Sequence, residues 1–150
     1  MPPSATLAAT LPTLQPEDPG ARLLLFAVRQ MGMHGIHDAC AAHAFVTAFG
    51  RGFRRPLVLL RALMTEMAAA SDRHIPIAPW CCPRMTRAEE TLLAVLARAG
   101  SNPQGARLLL ADLFGVRDSG TVVFTARALA RAFADLGLPL DLPASCGEAL

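Results

Sequence analysis

Leucine and methionine recur at helical spacing in the middle of the chain, where Leu57, Leu60, Met64 and Met67 follow one another at steps of three and four. Val58, Leu59 and Leu63 widen that stripe until only Arg61, Thr65 and Glu66 mark a wet edge. The helix opened by Pro56 is therefore expected at the centre of the fold. Helical start and stop signals punctuate the rest. Asp18 before Pro19 is a cap followed by proline at the first helical position, and Gly32 is the expected stop. A second helix is expected from about Asp38 to Phe49, ended by Gly50 and Gly52. Thr86 to Glu89 reads as a capping box for a fourth helix ending at Gly100, with Met85 placed to staple it. Asn102 and Pro103 open a fifth that closes at Gly115, and a last helix is expected over roughly Thr125 to Leu136. "TVVF" ahead of it is β-branched and reads as a short extended piece that cannot form a sheet alone.

Helical periodicity fails in "SDRHIPIAPWCCPR", where Pro76, Pro79 and Pro83 bias their predecessors toward extended geometry. Residues 71–84 are thus expected to be a rigid non-helical crossing. "PGARLLL" at Pro19–Leu25 returns as "PQGARLLL" at Pro103–Leu110, each opening a helix that precedes an Ala-rich one, an echo consistent with a duplicated helix pair. The pattern predicts an all-α fold: one compact domain, 18–150, an orthogonal bundle of five or six helices behind a flexible Pro- and Thr-rich lead-in, residues 1–17.

The length of 150 residues and the apolar content of 53% suit one domain with a real core. All 14 basic residues are arginine and the net charge is only +2, so neither nucleic acid nor a membrane surface is indicated. A bias toward Ala, Leu and Arg of this kind also weakens any argument from arginine-rich faces alone. The most apolar run, Leu57 to Ala70, carries Arg61 and Glu66 and falls short of the ~20 residues a bilayer crossing needs. The N-terminus lacks the basic and apolar regions of a secretory leader, and a cytoplasmic setting is expected. There Cys40, Cys81, Cys82 and Cys146 would be reduced, free for metal binding, redox chemistry or packing.

Candidate chemistry gathers in "HGIHDACAAH" and "WCCPR". On a helix, His37, Cys40 and His43 would share an arc of roughly 120°. His34 could fold back beside them, and Cys81 or Cys82 could complete a four-ligand zinc or iron site. Because the crossing must run back from the end of the central helix, the two stretches are expected to meet. Against this, paired CxxC or HxxxH spacing is missing, and a cysteine among alanines is most often a small buried apolar residue. Cys81 and Cys82, flanked by Arg84 and Arg87, also read as a redox pair beside a helix N-terminus. Arg51, Arg54 and Arg55 around Phe53 form a candidate anion site, with a solvated loop as the favoured alternative. The last helix presents only Arg127 and Arg131 outward, too few for reading DNA.

The run from Met31 to Met64, "MGMHGIHDACAAHAFVTAFGRGFRRPLVLLRALM", together with "IPIAPWCCPRMT", resembles an uncharacterised family of small bacterial proteins over about Gly20 to Leu96. That resemblance implies no activity, substrate or site residue. With no phosphate loop, catalytic triad spacing or dense carboxylate pair, an enzyme is not the expected reading. A non-catalytic helical binding or adaptor protein, without a cofactor and with a protein partner or a second copy of itself, is the leading one. The alternative is a metal-binding or thiol-redox protein using His34, His37, Cys40, His43, Cys81 and Cys82.

Overall fold

The computed structural model describes residues 13–140. Six α-helices follow one another: α1 (Pro19–His34), α2 (Ala39–Phe49), α3 (Arg54–Ala70), α4 (Arg87–Arg98), α5 (Pro103–Phe114) and α6 (Val122–Asp135). A single 3₁₀ turn, Gly50–Gly52, joins α2 to α3. Two-residue strands, β1 (Thr13–Leu14) and β2 (Arg84–Met85), pair antiparallel across the start of α1 and α4. This is the compact all-α domain that the hydrophobic periodicity predicts.

The starts of four helices follow their caps. Asp18 accepts from Ala21 N at 2.9 Å, Asp38 from Ala41 N at 2.9 Å and Asn102 from Gly105 N at 3.0 Å. Thr86 and Glu89 form the reciprocal capping box. The end of α1 differs from expectation: the helix runs through Gly32 and is closed by Gly35 at φ +98°. Gly32 instead admits Ile77, whose Cδ1 lies 3.1 Å from where a Cβ would be. The expected extended piece "TVVF" also proves helical in all but its first residue. Val122 and Val123 are buried in the first turn of α6, and burying those two side chains outweighs their modest β preference.

Helix α3 lies along α6, α1 lies against α2, and α4 and α5 form a hairpin whose two members both touch α6. The two "GARLLL" segments therefore do not build equivalent hairpins, since α5 packs chiefly on α4 rather than on α6. Leu57, Leu60, Leu63 and Met67 face the core from α3, while Met64 is half-buried, so the buried stripe passes through Leu63 rather than Met64. Leu60→Ala is expected to cost ~2–5 kcal/mol in urea unfolding, because Leu60 is completely buried. Met64→Ala should cost distinctly less. Equal losses at both positions would show that the helix has been assigned the wrong face.

The two ends of the described chain close on each other at Gly20. A Cβ there would lie 2.8 Å from the Leu138 carbonyl oxygen and 3.1 Å from that of Pro139. Alanine is the better helix former by about 1 kcal/mol. Gly20→Ala is nonetheless expected to destabilise by roughly 1–3 kcal/mol, because backbone cannot step aside as a side chain can. A gain in melting temperature would sink this expectation.

Candidate functional site

The Pro/Cys crossing is fastened to the helices at nearly every second residue. Asp72 N donates to Phe114 O at 3.0 Å, and Thr86 Oγ1 donates to Pro76 O at 2.8 Å. Ile77 packs on Gly32, and Ala78 is buried. Prolines bring carbonyls but no N–H, so such a segment must be held largely through its oxygens. Arg29 of α1 holds two of them. Its Nη1 donates to Cys82 O at 2.8 Å and its Nη2 to Arg84 O at 2.8 Å.

The same guanidinium is paired with Glu89 of α4: Nε reaches Oε2 at 2.7 Å and Nη2 reaches Oε1 at 3.1 Å. Glu89 also accepts from Thr86 N at 2.8 Å and from Ala78 N at 3.3 Å. Its two oxygens thus receive four donors, which is what a carboxylate removed from water needs. The side chains of Arg29 and Glu89 are 1% and 0% exposed. The capping-box reading identified Glu89 but not its partner. The signal for Arg29 was its place four residues after Leu25 on the apolar side of α1, where an unpaired charge would be untenable.

The same network draws the cysteine corner toward the start of α1. Gln15 donates through Nε2 to Cys82 O and through its backbone to Pro83 O, while β1 pairs with β2. Residues 13–15 are consequently tied to the domain, whereas the sequence placed them in a loose lead-in. Residues 1–12 and Cys146 lie outside the described residues. Cys81 is exposed and Cys82 half-buried, both free, within a turn closed by Cys82 N donating to Pro79 O at 3.0 Å.

The histidines lie at the other end of α1. His34 ends that helix, with Nδ1 3.1 Å from Gln30 Oε1 and 3.4 Å from Asp38 Oδ1. His37 precedes the cap of α2, so it is not on the helix at all, and Cys40 and His43 are exposed on its first turns. Ala41 and Phe45 take the buried side. The expected convergence of His34, His37, Cys40 and His43 with Cys81 and Cys82 into one ligand set does not occur: among the described residues no three His, Cys, Asp or Glu side chains gather so as to hold a metal ion. Arg29 is five residues, about 7.5 Å along the axis, before His34, and the corner it holds is tied on its other side to Gln15, which precedes α1.

The arginine loop is also differently arranged. Arg55 donates to Asp135 Oδ2 at 3.0 Å, and Arg131 donates to Oδ1 at 3.2 Å. The hydrogen bond from Arg55 lowers the Asp135 pKa, desolvation opposes it, and Arg131 adds to the lowering. Arg54 lies 6.0 Å from the Phe53 ring centre, and Arg51 is exposed. Of the three expected anion ligands, Arg55 is thus already engaged with a carboxylate of this chain.

A feature that the hydrophobic pattern did not reveal lies on α5 and α6. Phe124 is 58% exposed, beside a shallow cleft of about 180 Å³ lined by Pro103, Gln104, Arg107, Val123 and Arg127. The Arg107 guanidinium stands 5.6 Å from the Phe124 ring centre. Leu108, 73% exposed, follows one turn after Gln104 on the same side of α5.

A family model described as a family of unknown function (DUF6628) matches residues 3–139. The chain belongs to this family. The match to DUF6628 extends well beyond the Gly20–Leu96 region that carries the resemblance in the sequence, and it takes in all six helices. No curated protein and no solved structure matches the chain. No helix among the described residues is long and apolar enough to cross a membrane.

Proposed function

We propose that this DUF6628 protein is a non-catalytic helical binding protein that works in the cytoplasm and docks on another protein through the outer face of α5 and α6. The observation that carries the reading is the pair of large apolar side chains, Phe124 and Leu108, held in water on rigid helices beside an apolar cleft. Isolated exposed leucines are ordinary, but an aromatic ring with a cleft and a stacked arginine next to it has the make-up of an interface anchor. The free thiols of Cys40, Cys81 and Cys82 fit a reducing compartment.

The test is a photo-crosslinking amino acid placed at Phe124 and, as a control, at exposed Val58 on α3, in cells that make the protein. A discrete adduct at position 124 only, identified and then reconstituted from purified components, is the expected result. Equal labelling at both positions sinks the reading. So would turnover in a hydrolase and oxidoreductase screen that Cys81→Ser or His37→Ala abolishes, which would favour the metal or thiol-redox alternative.

A further inference from the structure

A second cleft follows the one beside Phe124 along α6. Leu96, Ala97 and Gly100 at the end of α4, Ala130, Arg131 and Ala134 on α6, and Pro139 with Leu140 enclose about 290 Å³, and Arg127 lines both spaces. From Phe124 to Ala134 the groove follows α6 for ten residues, about 15 Å. The first cleft is walled almost wholly by apolar surface, the second by apolar and polar surface in similar measure. Three arginines (Arg107, Arg127 and Arg131) stand along the groove, and among the described residues lining it there is no carboxylate. Asp135, just outside, engages Arg131, which leaves Arg107, stacked on the Phe124 ring, and Arg127 as the cations beside the clefts.

We propose that this groove binds an acidic amphipathic helix of a partner protein. The inference rests on the binding-protein reading above and specifies the chemistry of the partner. The α6 residues lining the two clefts are centred about six positions apart, or roughly 9 Å. Apolar side chains at i and i+7 of an incoming helix, ~10.5 Å apart, match that spacing, one entering each cleft. A Glu or Asp at i+3 or i+4 then falls on the same face of that helix, opposite Arg127. Arginine suits this role because its planar fork takes a carboxylate bidentately. Nucleic acid fits the groove less well: three arginines, one of them engaged by Asp135, are few charges to set against a phosphate backbone whose neutralisation dominates duplex affinity.

The probe is a fluorescent Ala/Gln-based helical peptide of roughly sixteen residues, long enough for useful helicity, with Leu at i and i+7 and Glu at i+3 and i+4. A second peptide carries Lys at the two Glu positions. By fluorescence anisotropy with the full chain, the acidic peptide should bind at least about tenfold more tightly, and added salt should narrow the difference. Arg127→Glu should reverse the preference, and Phe124→Ala should weaken both peptides. All these side chains are on the surface, so the variants should fold, which circular dichroism would verify. Equal affinity for the two peptides, or a preference that Arg127→Glu leaves untouched, overturns the proposal. So would three alternative occupants: duplex DNA bound more tightly than the peptide, a dimer in sedimentation that Phe124→Ala dissolves, or acidic-peptide binding that appears only after Asp141→Ala and Glu148→Ala in this chain's own C-terminal segment. If the peptides fail while the crosslink at position 124 persists, the partner's chemistry is wrong and the binding reading stands.

Discussion

Arg29→Ala should lower the stability of the domain by about 3–5 kcal/mol, one of the two largest losses expected from any single substitution here. The reason is what it leaves behind rather than what the pair contributes. Glu89 would be left without its cation at a site where its side chain is 0% exposed, with two of its four donors gone. The Arg84 carbonyl would lose its guanidinium donor, and Cys82 O would keep only Gln15. Arg29→Lys should recover part of the loss, since an ammonium restores charge but cannot serve Glu89 bidentately and two carbonyls at once. Removing both charges with Arg29→Met and Glu89→Gln should cost less than the sum of the single losses. The local readout is thiol chemistry. Cys81 is exposed already, but Cys82 is half-buried in the anchored turn, so its labelling rate should rise once Arg29 is gone. A loss below about 1 kcal/mol, with Cys82 labelling unchanged, would mean that the prolines alone fix the crossing.

That network also shows where the sequence could be read and where it could not. Local signals carried their meaning directly. Asp18 with Pro19, Asp38, Asn102 with Pro103, and the Thr86–Glu89 box each satisfy orphan N–H groups within three residues, and all four mark real helix starts. The misreadings have long-range causes. Gly32 looks like a helix stop, yet it is a gap for Ile77, 45 residues away in sequence. "TVVF" looks extended, yet burial of its two valines in the core draws them into a helix. Leu63 rather than Met64 faces inward because the stripe on α3 is wide and only its neighbours choose the face.

The candidate site was legible as a set of residue types and illegible as a geometry. The histidines and cysteines occur in two short stretches, and the crossing does return along α1. Its direction, however, is set by Arg29, Gln15 and the β1–β2 pairing, which bring the cysteine corner toward the start of α1. Gln15 and the β1–β2 pairing are marked by no spacing in the sequence, and Arg29 is marked only by its place on the apolar side of α1. The α6 groove is illegible for another reason: Phe124 ends "TVVF", which reads as a short extended piece, so the pattern places its ring on no helix face. Only the positions of α4 and α5 reveal that this ring is left in water.

Phe133→Ala is the second large loss, about 3–5 kcal/mol. Phe133 is completely buried and meets two rings of α2 edge to face: Phe45 at 5.7 Å and Phe49 at 5.0 Å between centres, with Phe45 and Phe49 themselves 5.6 Å apart. Each such contact is worth about 0.5–1.5 kcal/mol beyond the area it buries. Phe133→Leu keeps most of the volume and forfeits both contacts, so it should cost roughly 1–3 kcal/mol. The position matters because the α1–α2 pair meets α6 through these rings, while α3, α4 and α5 surround the rest of that helix. A cavity there loosens the inner face of the helix whose outer face carries Arg127 and Phe124. Phe133→Leu, still folded, should therefore weaken acidic-peptide binding only slightly, whereas Phe133→Ala should weaken it together with the melting temperature. A Phe45→Ala/Phe133→Ala cycle should show positive coupling, the double loss falling short of the sum. Additive losses would mean that the rings only fill volume. A Phe133→Ala loss below about 2 kcal/mol would show that α2 closes onto α6 without them.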